Sequence, residues 1–261
     1  MDLGLRGKIA VVLGASQGMG RASARVLALE GCDLALAARK PETLGATAAA
    51  LAKECGVRVF HQPCDVTRDA DRESFIAETL HRYGRVDILV NNCGGPKPGT
   101  LKDAPAPKEW QDAFERSLLQ VVKWTQAVLP YMKGWGRVVN IVSTSVKQPI
   151  EGLLLSNSIR PGVIGFAKSA ARELASQGIT INSILPGSIK TDRTIELAQA
   201  RSSKDGTPIA QVLEEKAREI PAGRLGEPDE IGATVAFLCS LQAAYITGAT
   251  LTVDGGLTRA I

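Results

Sequence analysis

The residues Gly14-Ala15-Ser16-Gln17-Gly18-Met19-Gly20 carry the clearest chemical signal in the chain. They follow an apolar run at 8–13 and open directly into a helical pattern. Glycine permits a tight turn and removes the Cβ that would keep a bulky anion away from the backbone. The N-terminus of the next helix offers free N–H groups and the positive end of a dipole. The chemistry that suits this arrangement is pyrophosphate binding, with Gly14, Ser16, Gln17, Gly18, Met19 and Gly20 forming the cradle. A glycine-rich loop alone equally describes a plain strand-to-helix turn. Its position after the first strand of a βαβ unit turns it into a dinucleotide signal.

A second candidate lies at the end of the next strand pattern, Leu36-Ala37-Ala38-Arg39-Lys40. Folds that take NAD usually place a carboxylate about 20 residues beyond the loop, on the ribose hydroxyl. Here there is no acid, and Arg39 and Lys40 are basic. A guanidinium suits a 2′-phosphate. These residues favour NADP(H) over NAD(H), the alternative being a solvated basic turn.

Elements to hold these groups can be read from the hydrophobic pattern. Apolar, β-rich runs at 8–13, 33–38, 57–62, 86–91, 136–142, 179–185 and 249–253 predict strands buried on both faces. Helical patterns fall near 18–30, 42–54, 68–83, 107–132, 153–176 and 228–240. The alternation predicts an α/β, Rossmann-type, doubly wound fold: a seven-stranded, mainly parallel sheet with helices on both faces. The expectation is one domain over 1–261. Residues 188–226 break the rhythm, with helix candidates at 194–200 and 209–219 around a polar tip at 202–206. So long an insertion after a strand's carboxyl end reads as a substrate lid, with a mere surface excursion as the alternative.

Composition narrows the function classes. The 261 residues are 44% hydrophobic and 22% charged, with a formal charge of +4 and scattered lysines and arginines. Nothing in that favours nucleic acid. Apolar stretches fall short of the ~18 residues a membrane span needs, and the N-terminal apolar run leads into a glycine loop rather than a cleavage site. Cysteines at 32, 55, 64, 93 and 239 are dispersed, odd in number and without a CxxC pair. They predict reduced thiols in a cytoplasmic protein, without a metal.

With these motifs in place, the chain resembles the short-chain dehydrogenase/reductase family over essentially its whole length. The spacing Gly14, Gly18, Gly20 resembles the family's GxxxGxG. Asp65-Val66 resembles its adenine-contacting pair. Asn91-Asn92-Cys93-Gly94 resembles its Asn-Asn-Ala-Gly, with cysteine for alanine. Pro186-Gly187-Ser188-Ile189-Lys190-Thr191 resembles the segment holding the nicotinamide carboxamide. Gly223-Arg224-Leu225-Gly226-Glu227-Pro228, Tyr245-Ile246-Thr247-Gly248 and Val253-Asp254-Gly255-Gly256 resemble its C-terminal signature. The resemblance, nearest to 3-oxoacyl-thioester reductases, implies cofactor contacts at Asp65, Val66, Asn91, Gly94, Pro186, Gly187, Ile189 and Thr191. It also implies a small-molecule carbonyl or acyl-thioester substrate, and a homotetramer or homodimer.

The same resemblance implies four catalytic positions. The family's serine falls on Ser143, which would bind the substrate oxygen. Its asparagine, tyrosine and lysine fall on Ser117, Ser156 and Arg160. A tyrosine starts near pKa ~10 and is lowered by an adjacent ammonium. A serine hydroxyl is a far weaker acid, and an arginine keeps its proton. Arg160 still suits electrostatic support of a developing alkoxide, with water giving the proton, which favours reduction over oxidation. Pro161 is expected to push Arg160 off helical angles. Lys147, in the loop after Ser143, is a further candidate for handling charge. Three readings stay open: an atypical NADP(H)-dependent reductase; a catalytically silent cofactor-binding subunit or partner of an active paralogue; or another reaction on the same fold and cofactor, such as an epimerisation or an elimination, for which no residue argues specifically.

Overall fold

The computed structural model describes residues 2–260. β1 (Ile9–Leu13), β2 (Asp33–Ala38), β3 (Val59–Pro63), β4 (Ile88–Asn91), β5 (Gly136–Ile141), β6 (Ile179–Pro186) and β7 (Thr250–Val253) form one sheet. Its order is β3-β2-β1-β4-β5-β6-β7, and every pairing is parallel. The sheet predicted to be mainly parallel is thus parallel throughout among the described residues. β1, β4, β5 and β6 are buried along their whole length, as runs such as Ile-Ala-Val-Val-Leu require when helices cover both faces.

On one face, α1 (Gly18–Leu29), α2 (Pro41–Cys55) and α10 (Pro228–Cys239) pack over Val12, Leu34, Leu36 and Val90. α1 and α10 meet closely at Gly232, where an added Cβ would stand 2.7 Å from Ala22 O. On the other face, α3 (Asp69–Tyr83), α5 (Gln120–Val128) and α7 (Pro161–Leu174) cover Val11, Leu89, Val138 and Ile181, with Phe75 and Trp124 edge to face. The chain switches direction across the sheet between β1 and β4, which puts a crevice at their carboxyl ends.

Three segments differ from the pattern expected of the sequence. The helix read at 107–132 is interrupted: α4 (Pro107–Phe114) runs into a π-helical turn at Glu115–Leu119 before α5. The helix read at 153–176 is divided into α6 (Leu154–Ile159) and α7 at Pro161, whose missing N–H falls at the first position of α7. Arg160 between them keeps φ −62° and ψ −29°, and its N–H still reaches Ser156 O at 3.1 Å. The expectation that Pro161 drives Arg160 out of helical geometry is therefore overturned. In the insertion, α8 (Asp192–Asp205) absorbs most of the supposed polar tip, because Thr191 caps its start and Gly206, at φ 76°, ends it. α9 (Ile209–Arg218) follows. No helix among the described residues is long and apolar enough to cross a membrane, and the five cysteines are free.

Candidate active site

The glycine loop is held from three directions. Gly14 and Gly18 have φ of 61° and 55°, the left-handed region that favours glycine. A Cβ on Gly20 would lie 2.2 Å from Gly14 O and 2.6 Å from Asn92 Nδ2. Asn92 Nδ2 donates to Leu13 O at 3.2 Å and Gly14 O at 3.3 Å, so the loop after β4 clamps the loop after β1. Ala15 N donates to Ala37 O, and Thr47 Oγ1 to Ser16 O at 3.0 Å.

Above this loop lies a cavity of about 410 Å³, bordered by the first turn of α1. Arg39, Lys40, Arg116, Arg160 and Arg193 line it against only Asp65 and Asp192, so it carries an excess of positive charge. Burial alone would raise the Asp65 carboxyl; hydrogen bonds from Thr67 N and Oγ1, with the Arg116 and Arg39 guanidiniums, hold it below the usual range. Trp124 Nε1 donates to Val66 O at 3.0 Å and fixes the neighbouring backbone.

Arg160 is only 8% exposed. Its Nη1 donates to Val142 O, no carboxylate pairs with it among the described residues, and burial lowers its pKa. Its Nη2 lies beside Gly95 at the rim of the cavity. Cys93 sits between this arginine and Arg116, with its thiol donating to Arg116 O at 3.1 Å. Desolvation pushes that thiol up, and the two guanidiniums pull it back only in part. Ser156 is buried on the same helical turn as Arg160, with its hydroxyl 3.3 Å from Ser145 Oγ.

A second cleft of about 540 Å³ adjoins the first, sharing Met19 and Thr191. Ser143 lines it and accepts from Ser145 N at 3.1 Å. Its far wall is Pro186, Gly187, Ser188 and Ile189. Two signature segments pin that wall. Gly187 N donates to Val253 O, and a Cβ there would strike Asp254 at 2.6 Å. Gly226 exchanges backbone bonds with Ser188 and Lys190, and Arg224 and Glu230 brace it from behind. Lys216 and Glu219 from the insertion, Glu151, and Leu257 and Thr258 from the C-terminal segment complete the cleft.

The structure therefore brings most sequence-predicted residues together. Gly14, Ser16, Gln17, Gly18, Met19, Arg39, Asp65, Val66, Gly94 and Thr191 line the first cavity. Gly20 supports its floor, and Pro186, Gly187 and Ile189 line the cleft. Asn91 does not face the cavity: it is 1% exposed and donates to Asn140 Oδ1 at 2.9 Å and Thr125 Oγ1 at 3.3 Å, because strand alternation turns it away and Asn92 inward. Ser117 is buried behind Arg160 and lines neither larger cavity. Lys147 is exposed and lines neither, because the 3₁₀ turn at Thr144–Val146 carries it outward. Sequence reasoning missed Asn92, Arg116, Arg193 and Lys216. Asn92 was within reach, being one half of the Asn-Asn pair.

The chain was compared with known proteins. Residues 14–258 match the family model described as enoyl-(acyl carrier protein) reductase. The chain is 38% identical over 257 residues to the 3-oxoacyl-[acyl-carrier-protein] reductase FabG of Vibrio cholerae, covering 98% of this chain and 99% of that one. Among solved structures, L-sorbose reductase from Gluconobacter frateurii, complexed with NADPH and L-sorbose, superposes with a TM-score of 0.96 at 31% identity and full coverage of both chains. An actinorhodin polyketide ketoreductase with NADPH gives 0.91 at 34% identity, covering 97% of this chain and 98% of that one. Fold, loop geometry and full-length similarity agree: the chain belongs to the short-chain dehydrogenase/reductase family.

Proposed function

We propose that this protein is an NADP(H)-dependent reductase of a small-molecule carbonyl or 3-oxoacyl group, working through an atypical active site. The observation that carries the reading is the adjacency of two cavities: a cation-rich one over the glycine loop shares Met19 and Thr191 with a cleft lined by Ser143. The residues fit a phosphorylated dinucleotide, since Gly14 and Gly18 line the cavity at the first turn of α1 and Arg39 and Lys40 stand at the end of β2. When bound, NADPH supplies the hydride. Arg39 and Lys40 hold the 2′-phosphate, Asp65 and Val66 border the adenine end, and Pro186–Thr191 orient the nicotinamide end. Ser143 donates a hydrogen bond to the substrate oxygen. Arg160 places a desolvated positive charge beside the reacting region, which favours the alkoxide that reduction forms. Solvent protonates that alkoxide, so reduction runs more readily than oxidation. Residues 188–226 act as a lid, with Lys216 facing the substrate. NADH is a weaker alternative cofactor.

The same reading makes the chain a single domain in the cytoplasm, assembled as a homotetramer or homodimer with no nucleic-acid or membrane partner. The open edge of β7, with Leu251 41% exposed, supports assembly with a second copy. A stable monomer in sedimentation at micromolar concentration would reject that part.

One observation favours a second reading, a silent cofactor-binding subunit. None of the tyrosines, 83, 131 and 245, lines either cavity, and the Ser156 hydroxyl is occupied by Ser145. The experiment is NADPH fluorescence titration followed by NADPH oxidation with 3-oxoacyl thioesters, diketones, ketoses and aldehydes. Turnover on any of them supports the reductase; tight binding without turnover on all of them supports the silent subunit. Restoring Ser156→Tyr and Arg160→Lys with Pro161→Ala should then raise activity. No rise at all would remove the assignment of these positions to the catalytic centre.

A further inference from the structure

Beside Arg160, sharing Cys93, Ile141, Val142 and Arg160 itself with the dinucleotide cavity, lies a small cavity of about 10 Å³. Four of the residues lining it each carry a buried polar atom without a partner: Asn91 Oδ1, Ser117 Oγ, Gln120 Oε1 and Arg160 Nε. Buried polar atoms are normally paired, so four around one small space call for a common explanation. Their roles are fixed by bonds elsewhere. Asn91 spends its amide N–H groups on Asn140 and Thr125, which leaves its oxygen as an acceptor. Gln120 Nε2 reaches Cys93 Sγ at 3.6 Å, which leaves its oxygen as an acceptor too. Arg160 Nε–H is a donor, and the Ser117 hydroxyl is free to donate.

Two donors and two acceptors are the complement of a water molecule, which donates twice and accepts twice, and the volume suits one water. An anion would face two amide oxygens, and a metal ion would face the guanidinium with no carboxylate to hold it. We infer that this cavity is a binding site for a single water, tetrahedrally held by Arg160, Ser117, Asn91 and Gln120, and that the water aims the Arg160 guanidinium at the dinucleotide cavity. Arg160 is then fixed at two points, Nη1 on Val142 O and Nε on the water, leaving Nη2 beside Gly95 to face the cofactor. The π-helical turn at Glu115–Leu119 builds the site, since it carries Ser117 to the cavity three residues before Gln120. Ser117, Gln120 and Asn91 act through Arg160 and are positioning residues.

The inference rests on the proposed cofactor role only for its affinity readout, so two measurements are needed. A crystal structure of the unsubstituted protein at high resolution should show one water within hydrogen-bonding distance of all four atoms; an empty cavity would overturn the inference. In NADPH titrations, Ser117→Val fills the space without hydrogen bonds and should weaken binding about tenfold. Ser117→Asn has similar bulk but carries an amide that can replace the water's bonds, and should recover most of that loss. Equal effects from the two, or none from either, would overturn the inference. Should Ser117→Val fail to fold, the density decides alone. Should the unsubstituted protein not bind NADPH, the proposed function falls and the density still decides the water site.

Discussion

Arg160→Met separates the work of this residue in binding from its place in the folded chain. In the free protein the Arg160 guanidinium is a buried cation with one protein partner, Val142 O, besides the inferred water on Nε, and no counter-charge among the described residues. Removing a guanidinium from water costs several kcal/mol. The charge-assisted bond to Val142 O returns about 1.5–3 kcal/mol. Methionine keeps the length and much of the volume, abolishes the desolvation cost, leaves the Val142 carbonyl unpaired at about 1–3 kcal/mol, and removes one of the inferred water's four bonds at about 1 kcal/mol. The terms nearly cancel, so the unliganded variant should match the parent within about 1 kcal/mol, a shift in Tm of only ~2–4 °C. Cofactor binding behaves differently. A desolvated charge facing an anionic ligand contributes roughly 1.4–2.8 kcal/mol, so the NADPH Kd should rise about 10–100-fold. Thermal melts of the unliganded proteins and NADPH fluorescence titrations measure the two effects separately. A variant that loses more than ~2 kcal/mol of stability would make Arg160 a structural residue. One that binds NADPH as tightly as the parent would refute the claim that its charge serves the cavity.

The other predictions concern the cradle and its supports. Gly20→Ala places a methyl 2.2 Å from Gly14 O and should cost about 2 kcal/mol or more while abolishing NADPH binding; a melt and a titration check both. Arg39→Ala should weaken NADPH about 10–100-fold and NADH by less than ~3-fold, a change in the ratio of two Kd values that reports 2′-phosphate recognition. Glu230 is held at about 2, against an ordinary 4.5, by the Arg224 guanidinium and then by Glu227 N. A depressed carboxyl stabilises the fold above about 4.5 and loses that contribution as the pH falls toward 2. Tm should therefore fall more steeply over that window in the parent than in Glu230→Gln, by a small margin because both side chains are well exposed.

How far the sequence was legible depended on whether a property is local. Strands such as Ile9–Leu13 are continuous apolar runs, and their burial on both faces follows from that. The glycine loop was legible because its glycines follow the first strand of a βαβ unit, and the 2.2 Å approach of a Gly20 Cβ to Gly14 O shows that the turn leaves no room for a side chain there. Asn91 was misread because pattern alone does not tell which residue of a polar pair points inward; strand alternation settles it for Asn92. Pro161 was misread because a proline rule describes an isolated preference, and here it is outweighed: Pro161 supplies the first residue of α7 while Arg160 N still closes onto Ser156 O. Arg116 and Lys216 were beyond reach, since a π-helical turn and the second helix of the 188–226 insertion bring them in from distant parts of the chain.

The positions that the proposed function assigns to an atypical site, 93, 117, 156 and 160, are not scattered. Cys93, Ser117 and Arg160 line one small cavity, and Ser156 stands one helical turn before Arg160. On the proposed reading, arginine for lysine adds bulk and serine for asparagine removes it, so the change at one position makes room for the other; volume-conserving exchanges are the ones cores tolerate. Exchange of charge-bearing groups is harder to tolerate, since a buried guanidinium without partners is costly. An apolar side chain at this position would carry no desolvation cost. A guanidinium here, bonded to Val142 O and lining a cation-rich cavity, is on that reading offset by a bound anion. Arg160→Met is therefore the decisive substitution, because only a binding role predicts that affinity falls while the free protein stays as stable as before.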